Sequence, residues 1–153
     1  MSDLRSRVEE AWEAAWNRGE TEALDRLAAP GYVRHGRSEQ SLEDLKSGIA
    51  ACRAGMPDLR TAIDDCVIEG DRMAVRWHSS GTHTGTLLDV PPTGRRLTVS
   101  GATFSRVRDG LIAEEWVTWD PRQMLHALGI IPLHSAFEGS GASENSDRKA
   151  ATA

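Results

Sequence analysis

The chain has 153 residues, a length that fits one domain with a real hydrophobic core. Its formal net charge is −5 at pH 7 and its basic residues form no cluster, so we expect no nucleic acid partner. No apolar run is long enough to cross a bilayer, so we expect no membrane partner either. Two cysteines make no disulfide framework and the N-terminus does not resemble a signal peptide, which together predict a cytoplasmic location.

The first third of the chain predicts three helices. Apolar residues recur at helical spacing over residues 8–16, and Gly19 follows in the position of a C-terminal cap. A short second helix is predicted over about residues 21–29, and residues 32–35 form a short extended segment. Residues 41–44 read Ser-Leu-Glu-Asp, a capping box that opens the third helix.

The remainder of the chain alternates with the period of a strand. The predicted strands are residues 59–68, 73–86, 96–107 and 111–120, followed by a helix over 121–128. Helices followed by an antiparallel meander predict an α+β domain, with a curved antiparallel sheet and the N-terminal helices on its concave face. A strongly curved sheet closed by helices forms a cone, and we expect the interior of this cone to be a pocket. Residues 1–138 form this single domain, and residues 139–153, polar and without apolar period, are predicted to be a disordered tail.

The strand over residues 111–120 carries apolar bulk on both faces. Its two sets of alternating side chains are Ile112, Glu114, Trp116, Thr118 and Asp120, and Leu111, Ala113, Glu115, Val117 and Trp119. The first set mixes aromatic surface with a titratable group, so we expect it to line the pocket. We expect the second set to be covered by a partner subunit in a homodimer.

Several segments occur in an order typical of one family. They include Asp58-Leu59, residues 67–77, Gly81-Thr82-His83-Thr84-Gly85, Pro91-Pro92-Thr93-Gly94-Arg95 and residues 109–120. Over about residues 5–130 the chain resembles the SnoaL-like polyketide cyclases, or ester cyclases, of the nuclear-transport-factor-2-like superfamily. The resemblance implies the same cone-shaped α+β fold, a cystatin-like barrel, and a hydrophobic, polyketide-like substrate. It also implies intramolecular aldol cyclisation or a related isomerisation by acid/base chemistry without a cofactor.

The resemblance assigns the catalytic acid/base to Asp120, four residues after Trp116. Asp before Pro121 is also an ordinary helix N-cap, and the two roles are compatible only if one carboxylate oxygen stays free. His35 occupies a position where the family often has a histidine at the pocket mouth, so we assign it a second catalytic role beside Asp120. The alternative for His35 is an exposed loop histidine.

The expected substrate-binding residues combine aromatic walls with a few polar groups. They are Trp16, Trp77, His83, Met56, Leu88, Thr103, Trp116 and Thr118. For any single tryptophan, core packing is the alternative. His83 lies on the face of Trp77 if its strand stays regular, and a bulge at Gly81 would reverse this. The family's cyclases place amide or imidazole groups beside the catalytic Asp, whereas residues 100–105 offer only hydroxyl groups there.

Other chemistry is less well supported by the sequence. His35, His78 and His83 match no metal-ligand spacing, so we expect no metal and no cofactor. Glu114 is a second carboxylate beside Asp120, an exposed residue at the end of the strand, or an ion-pair partner of Arg106 across the hairpin. The leading hypothesis is therefore a cyclase-type acid/base enzyme. The alternatives are a non-catalytic small-molecule-binding protein of the same fold, or an epoxide hydrolase or hydroxylase-like member.

Overall fold

The computed structural model describes residues 2–130 of the chain, so the predicted tail lies outside the described residues. Helix α1 (Ser2–Trp12) continues into a π-helical turn (Glu13–Asn17) and is followed by a short 3-10 helix (Thr21–Arg26). Helix α2 spans Leu42–Gly55 and helix α3 spans Pro121–Ala127. The capping box predicted for α2 is confirmed, because the Ser41 hydroxyl accepts from the Asp44 backbone and the Asp44 carboxylate accepts from the Ser41 backbone.

A single curved, unclosed sheet of six strands forms the other layer, with the order β2-β1-β6-β5-β4-β3. The strands are β1 (Ala28–His35), β2 (Glu39–Gln40), β3 (Arg60–Glu69), β4 (Arg72–Thr82), β5 (Arg96–Arg108) and β6 (Leu111–Trp119). All neighbouring strands pair antiparallel except β1 and β6, which run parallel. The α+β prediction with a curved sheet is therefore confirmed.

Two predicted elements end earlier than the sequence pattern indicated. The second helix stops at Arg26 because the chain joins the sheet, where the Ile112 backbone N–H donates to the Leu27 carbonyl at 2.8 Å. The strand predicted over residues 73–86 stops at Thr82, because the backbone N–H groups of Thr84 and Gly85 turn to the Gly55 carbonyl of α2. Both changes come from contacts between residues far apart in sequence, which local periodicity cannot report.

The face of β6 predicted to line the pocket lies on the outside of the sheet. Ile112 is buried, yet the pairing with β5 shifts by one residue between Arg106 and Val107, so Glu114 and not Ala113 lies opposite Arg106. This irregularity reverses the alternation after Ile112. The side chains that face the interior are Glu115, Val117 and Trp119, and those that face outward are Glu114, Trp116, Thr118 and Asp120.

The interior between the sheet and the helices holds two clusters of buried side chains. One is built from α1, the 3-10 helix, α2 and the inner faces of β4 and β6, and includes Val8, Ile49 and Val75. The other includes Met56, Leu97 and Met124 and closes the opposite end. Trp16 packs against both clusters. None of the helices described over residues 2–130 combines the length and apolar character needed to span a membrane.

Candidate functional site

A cavity of about 240 Å³ lies between the sheet and the helices and is lined by members of both core clusters. Its walls are mostly apolar and include four indole rings, those of Trp12, Trp16, Trp77 and Trp119. A space of this size approaches the lower end of known small-molecule pockets, about 300 Å³. The polar side chains on the wall are few, so each one is a candidate for orienting a ligand.

The cavity wall carries a cluster of hydrogen-bonded polar side chains centred on Glu115. One carboxylate oxygen, Oε2, accepts hydrogen bonds from the Tyr32 hydroxyl and from Arg34 Nη1, the latter at 3.2 Å. The other oxygen, Oε1, accepts from the Ser105 hydroxyl at 3.2 Å. The glutamate is only 5% exposed. Three donors therefore hold this one buried carboxylate in place.

The backbone brings these residues together through the parallel pairing of β1 and β6. Arg34 lies opposite Glu115 in this register. The register shifts between Ala28 and Val33, where Gly31 adopts a positive φ of 77°, a conformation that glycine tolerates without strain. This bend presents Tyr32 and Arg34 to the cavity.

The environment keeps the Tyr32 hydroxyl protonated. Burial raises the pKa of Tyr32 above the ordinary value for tyrosine, and the negative charge of Glu115 raises the pKa further. Cys52 also lines the cavity, and burial raises the pKa of its thiol, which disfavours the reactive thiolate. The cluster therefore offers a phenol that donates and a carboxylate that accepts, side by side in an apolar space.

Asp120 does not lie on this cavity. It caps α3, where its Oδ1 accepts from the Arg122 backbone at 2.9 Å, and both carboxylate oxygens contact the Arg122 guanidinium at 3.0 to 3.2 Å. These hydrogen bonds from Arg122 hold the pKa of Asp120 below its ordinary value. Its side chain is 42% exposed on the outer side of the sheet. The expected orientation was wrong, and the reason is the irregularity in β6; a catalytic role for Asp120 stays a prediction.

His35 is also outside the cavity. Its Nε2 lies 2.7 Å from Glu114 Oε1, and its ring stacks on Trp116 with centroids 5.3 Å apart. Trp116 and Thr118 are exposed on the same outer face, so neither lines the interior. Glu114 thus pairs with His35, and the two expected catalytic residues, Asp120 and His35, are not brought together by a contact in the described residues.

Four of the expected binding residues do line the cavity: Trp16, Trp77, Met56 and Leu88. Thr103 is buried behind the wall and accepts a hydrogen bond from Trp77 Nε1 at 3.1 Å. His83 is fully buried, with Nδ1 2.9 Å from Thr93 Oγ1, and is not part of the cavity wall. No bulge interrupts the pairing of β4 with β5 at Gly81. The binding roles of these residues stay predictions.

Sequence reasoning missed Tyr32, Arg34 and Glu115 as a unit. Tyr32 and Arg34 alternate on one short extended segment, which places them on one face, and that spacing was visible in the sequence. Their partner strand was not visible, because β1 pairs with a strand some eighty positions later in the sequence. Among residues 2–130, no three His, Cys, Asp or Glu side chains are grouped so that they would hold a metal ion.

The family model for SnoaL-like polyketide cyclases matches residues 6–128. The chain belongs to this family. Among solved structures, IdmH from Streptomyces antibioticus, provisionally described as a polyketide cyclase, is 34% identical with a TM-score of 0.70, over 84% of this chain and 97% of that one. A search of curated proteins finds no match.

Two further solved structures that are similar to this chain come from Streptomyces species. AclR from Streptomyces galilaeus, provisionally described as a hydroxylase, is 28% identical with a TM-score of 0.76, over 86% of this chain and 99% of that one. TsrD from Streptomyces laurentii is 29% identical with a TM-score of 0.74, over 85% of this chain and 95% of that one. The similarities agree with the SnoaL-like assignment, while the activities ascribed to IdmH and AclR differ from one another.

Proposed function

We propose that this SnoaL-like protein is a cyclase-type enzyme that uses acid/base chemistry inside the cavity, on a hydrophobic small molecule with a carbonyl group. The observation that carries the proposal is the buried cluster of Tyr32, Arg34 and Glu115 on the wall of an otherwise apolar space. A carboxylate, a phenol and a guanidinium within contact distance supply a proton acceptor, a proton donor and a fixed positive charge.

In the proposed reaction, Glu115 removes a proton from the carbon next to the substrate carbonyl. Arg34 stabilises the negative oxygen of the resulting enolate, because its guanidinium has further N–H groups besides the one bonded to Glu115. The enolate carbon then attacks a second carbonyl of the same molecule. A carbon–carbon bond forms and leaves an alkoxide.

Tyr32 completes the cycle through its contact with Glu115. Once Glu115 carries the substrate proton, its carboxyl group is neutral and accepts less strongly from the Tyr32 hydroxyl. The Tyr32 hydroxyl then donates its proton to the alkoxide. The phenolate recovers a proton from Glu115 along the existing hydrogen bond. Protons and electrons balance, both side chains return to their starting states, and the product is an isomer of the substrate.

A second candidate function is binding without turnover. The observation that favours it is the environment of Asp120, whose two carboxylate oxygens are occupied by Arg122 and which is not among the residues that line the cavity. In this alternative, Glu115 and Arg34 form an ion pair with a purely structural role, and the apolar cavity binds a ligand without converting it. The variants described next separate the two functions.

Carboxylate-to-amide variants test the proposal. β-Tetralone, a bicyclic ketone with acidic protons beside the carbonyl, serves as the probe, and proton NMR in deuterium oxide follows their exchange. The wild-type protein should accelerate exchange, and Glu115→Gln should reduce that acceleration by about a hundredfold or more, as for loss of a general base. Gln keeps an oxygen that can accept from Tyr32 and Arg34, so binding of β-tetralone, measured by calorimetry, should persist.

The neighbouring Glu114 offers a matched control. It lies on the outer face, so the Glu114→Gln variant should accelerate proton exchange of β-tetralone as much as the wild-type protein does. Asp120→Asn tests the assignment made from the family resemblance. Loss of exchange in Asp120→Asn with activity retained in Glu115→Gln would transfer the catalytic role to Asp120, and binding without any acceleration by the wild type would support the storage function.

We also propose that the protein forms a homodimer through the outer face of the sheet. A row of side chains crosses this face in register: Val67, Ala74, Phe104, Trp116 and His35. Val67, Phe104 and Trp116 are large apolar side chains that remain exposed. The opposite face, with Glu115, Val117 and Trp119, lines the cavity and needs no partner, which corrects the face expected from the sequence.

A further inference from the structure

A second polar site lies on the cavity wall, away from Glu115. Thr61 of β3 and Ser79 of β4 are register partners, and their hydroxyl oxygens are 2.7 Å apart. Both side chains are buried and both line the cavity. Their neighbours on the wall include Leu59, Trp77 and Val99, so this hydroxyl pair is set in apolar surroundings.

The position of Thr61 is fixed from the helical layer. The Thr61 backbone N–H donates to Asn17 Oδ1 at 2.7 Å, and Asn17 Nδ2 donates to the Thr61 carbonyl at 3.0 Å. Asn17 ends the π-helical turn, and Arg53 of α2 donates to the carbonyl oxygens of Trp16 and Asn17. A π-helical turn is a rare feature that often occurs at functional sites. Here it places Trp16 on the cavity wall and holds Thr61 beside it.

Hydrogen-bond counting leaves the pair incomplete. Two hydroxyl groups bring two O–H donors, but the contact between them uses only one. Across residues 2–130 neither hydroxyl forms a further hydrogen bond with a protein group. One O–H donor therefore remains for a molecule in the cavity, and the lone pairs of both oxygens can accept. A buried donor without a partner costs free energy, so an oxygen-bearing ligand gains by supplying one.

The two polar sites are well separated along the cavity. Ser105 of β5 lies opposite Glu115, and Val99 of the same strand lies opposite Ser79. Six residues of extended strand between them correspond to about 20 Å along the sheet at roughly 3.3 Å per residue. Trp77 and Trp119 line the wall between the two sites. A single small ring cannot contact both ends.

We infer that Thr61 and Ser79 form a second oxygen-binding subsite, and that the ligand is an elongated apolar molecule with a carbonyl near Arg34 and a hydroxyl or carbonyl near Thr61 and Ser79. This inference rests on the proposed function for the placement of the reacting carbonyl. The subsite sets the position of the elongated ligand in the cavity, and hence which carbon atom of the ligand lies beside Glu115. Thr61 and Ser79 are positioning residues and take no proton.

Straight-chain methyl ketones of increasing length test the subsite, each with and without a hydroxyl group at the far end. Calorimetry gives the dissociation constant for every member. In the wild-type protein the hydroxyl should tighten binding by about fivefold once the chain is long enough to span the two sites, because one hydrogen bond contributes about that much. In shorter chains the hydroxyl should weaken binding.

The double variant Thr61→Val/Ser79→Ala removes both hydroxyls and keeps the shape, a change with little expected effect on folding. It should lose the hydroxyl benefit while binding the plain ketones as before. Ser80→Ala/Thr98→Val is the matched control, since these two are register partners on the outer face of the sheet. This control should behave as the wild type.

Equal hydroxyl effects in the wild type and the Thr61→Val/Ser79→Ala variant at every chain length would overturn the subsite, as would failure of every ketone to bind. These outcomes are independent of the proposed catalysis, which is measured by proton exchange in Glu115→Gln. A protein that selects hydroxylated ketones but does not exchange protons would retain the subsite and lose the enzyme assignment.

Discussion

Arg34 and Glu115 lie directly opposite one another on parallel strands, with Nη1 and Oε2 3.2 Å apart. Only 12% of the Arg34 side chain and 7% of the Glu115 side chain are exposed. Two charges held this far from solvent are mutually dependent, because either one alone would be a buried unpaired charge. The pair therefore ties the function of the cavity to the stability of the β1–β6 edge of the sheet.

The first prediction concerns this dependence. Arg34→Leu should lower the free energy of unfolding by about 3–5 kcal/mol, since it leaves Glu115 charged and buried. Arg34→Leu/Glu115→Leu should lower it by less than the single variant, because no charge is then left unpaired. Urea denaturation at neutral pH measures both. Arg5, which pairs with Glu9 on the exposed face of α1, is the control, and Arg5→Leu should leave stability essentially unchanged. Equal effects at Arg34 and Arg5 would contradict the buried pair.

The second prediction concerns the ionisation of Tyr32, the one tyrosine in the sequence. Burial and the Glu115 charge raise its pKa in the folded protein, so ultraviolet absorbance should show no phenolate at a pH where free tyrosine is ionised. The raised pKa contributes stability that is fully present below about pH 10, the unfolded value, and is lost as the pH rises above it. Tyr32→Phe should not show this alkaline loss. A normal titration of Tyr32 in the folded protein would argue against its contact with Glu115.

The sequence predicted those features that depend on neighbouring residues. The capping box at Ser41 and the turn before β6 are local, and Asp109 and Gly110 both adopt positive φ, as a tight hairpin turn requires. The order of helices and strands followed from the same periodicities. Membership of the SnoaL-like family followed from motifs spread over the chain.

The candidate site was less predictable because it depends on register. The alternation was correctly predicted from Glu114 to Asp120, but the shift in pairing at Arg106 and Val107 breaks it after Ile112 and exchanges the inner and outer faces of the residues that follow. Asp120 was consequently expected inside and Glu115 outside. The parallel pairing of β1 with β6 joins segments that no local pattern connects. A strand's own sequence does not reveal which other strand it pairs with.

The third prediction concerns Gly101 of β5, which leaves space for the Trp77 ring on the cavity wall. A methyl group at this position would lie 2.6 Å from Trp77 Cζ2 and 2.5 Å from the Thr118 carbonyl oxygen. Gly101→Ala should therefore displace the indole, lower the free energy of unfolding by about 1–3 kcal/mol and change tryptophan fluorescence. Gly48→Ala in α2 is the control. Nothing lies within 4 Å of its added methyl, and it should raise stability by about 0.5–1 kcal/mol. A stable Gly101→Ala variant with unchanged fluorescence would show that the wall adapts.

The fourth prediction concerns the proposed homodimer. Phe104 lies at the centre of the outer row, between Ala74 and Trp116, and is 54% exposed. Phe104→Asp places a charge in the middle of the proposed interface, where it would be buried without a partner, so it should convert a dimer into a monomer in sedimentation analysis. Thr98→Asp introduces the same charge on the same face of β5, near the end of the strand and away from the row, and should leave the dimer intact. Because Phe104 points away from the cavity, the monomeric variant should still bind the ketone probes. A wild-type protein that is monomeric at micromolar concentration would refute the interface.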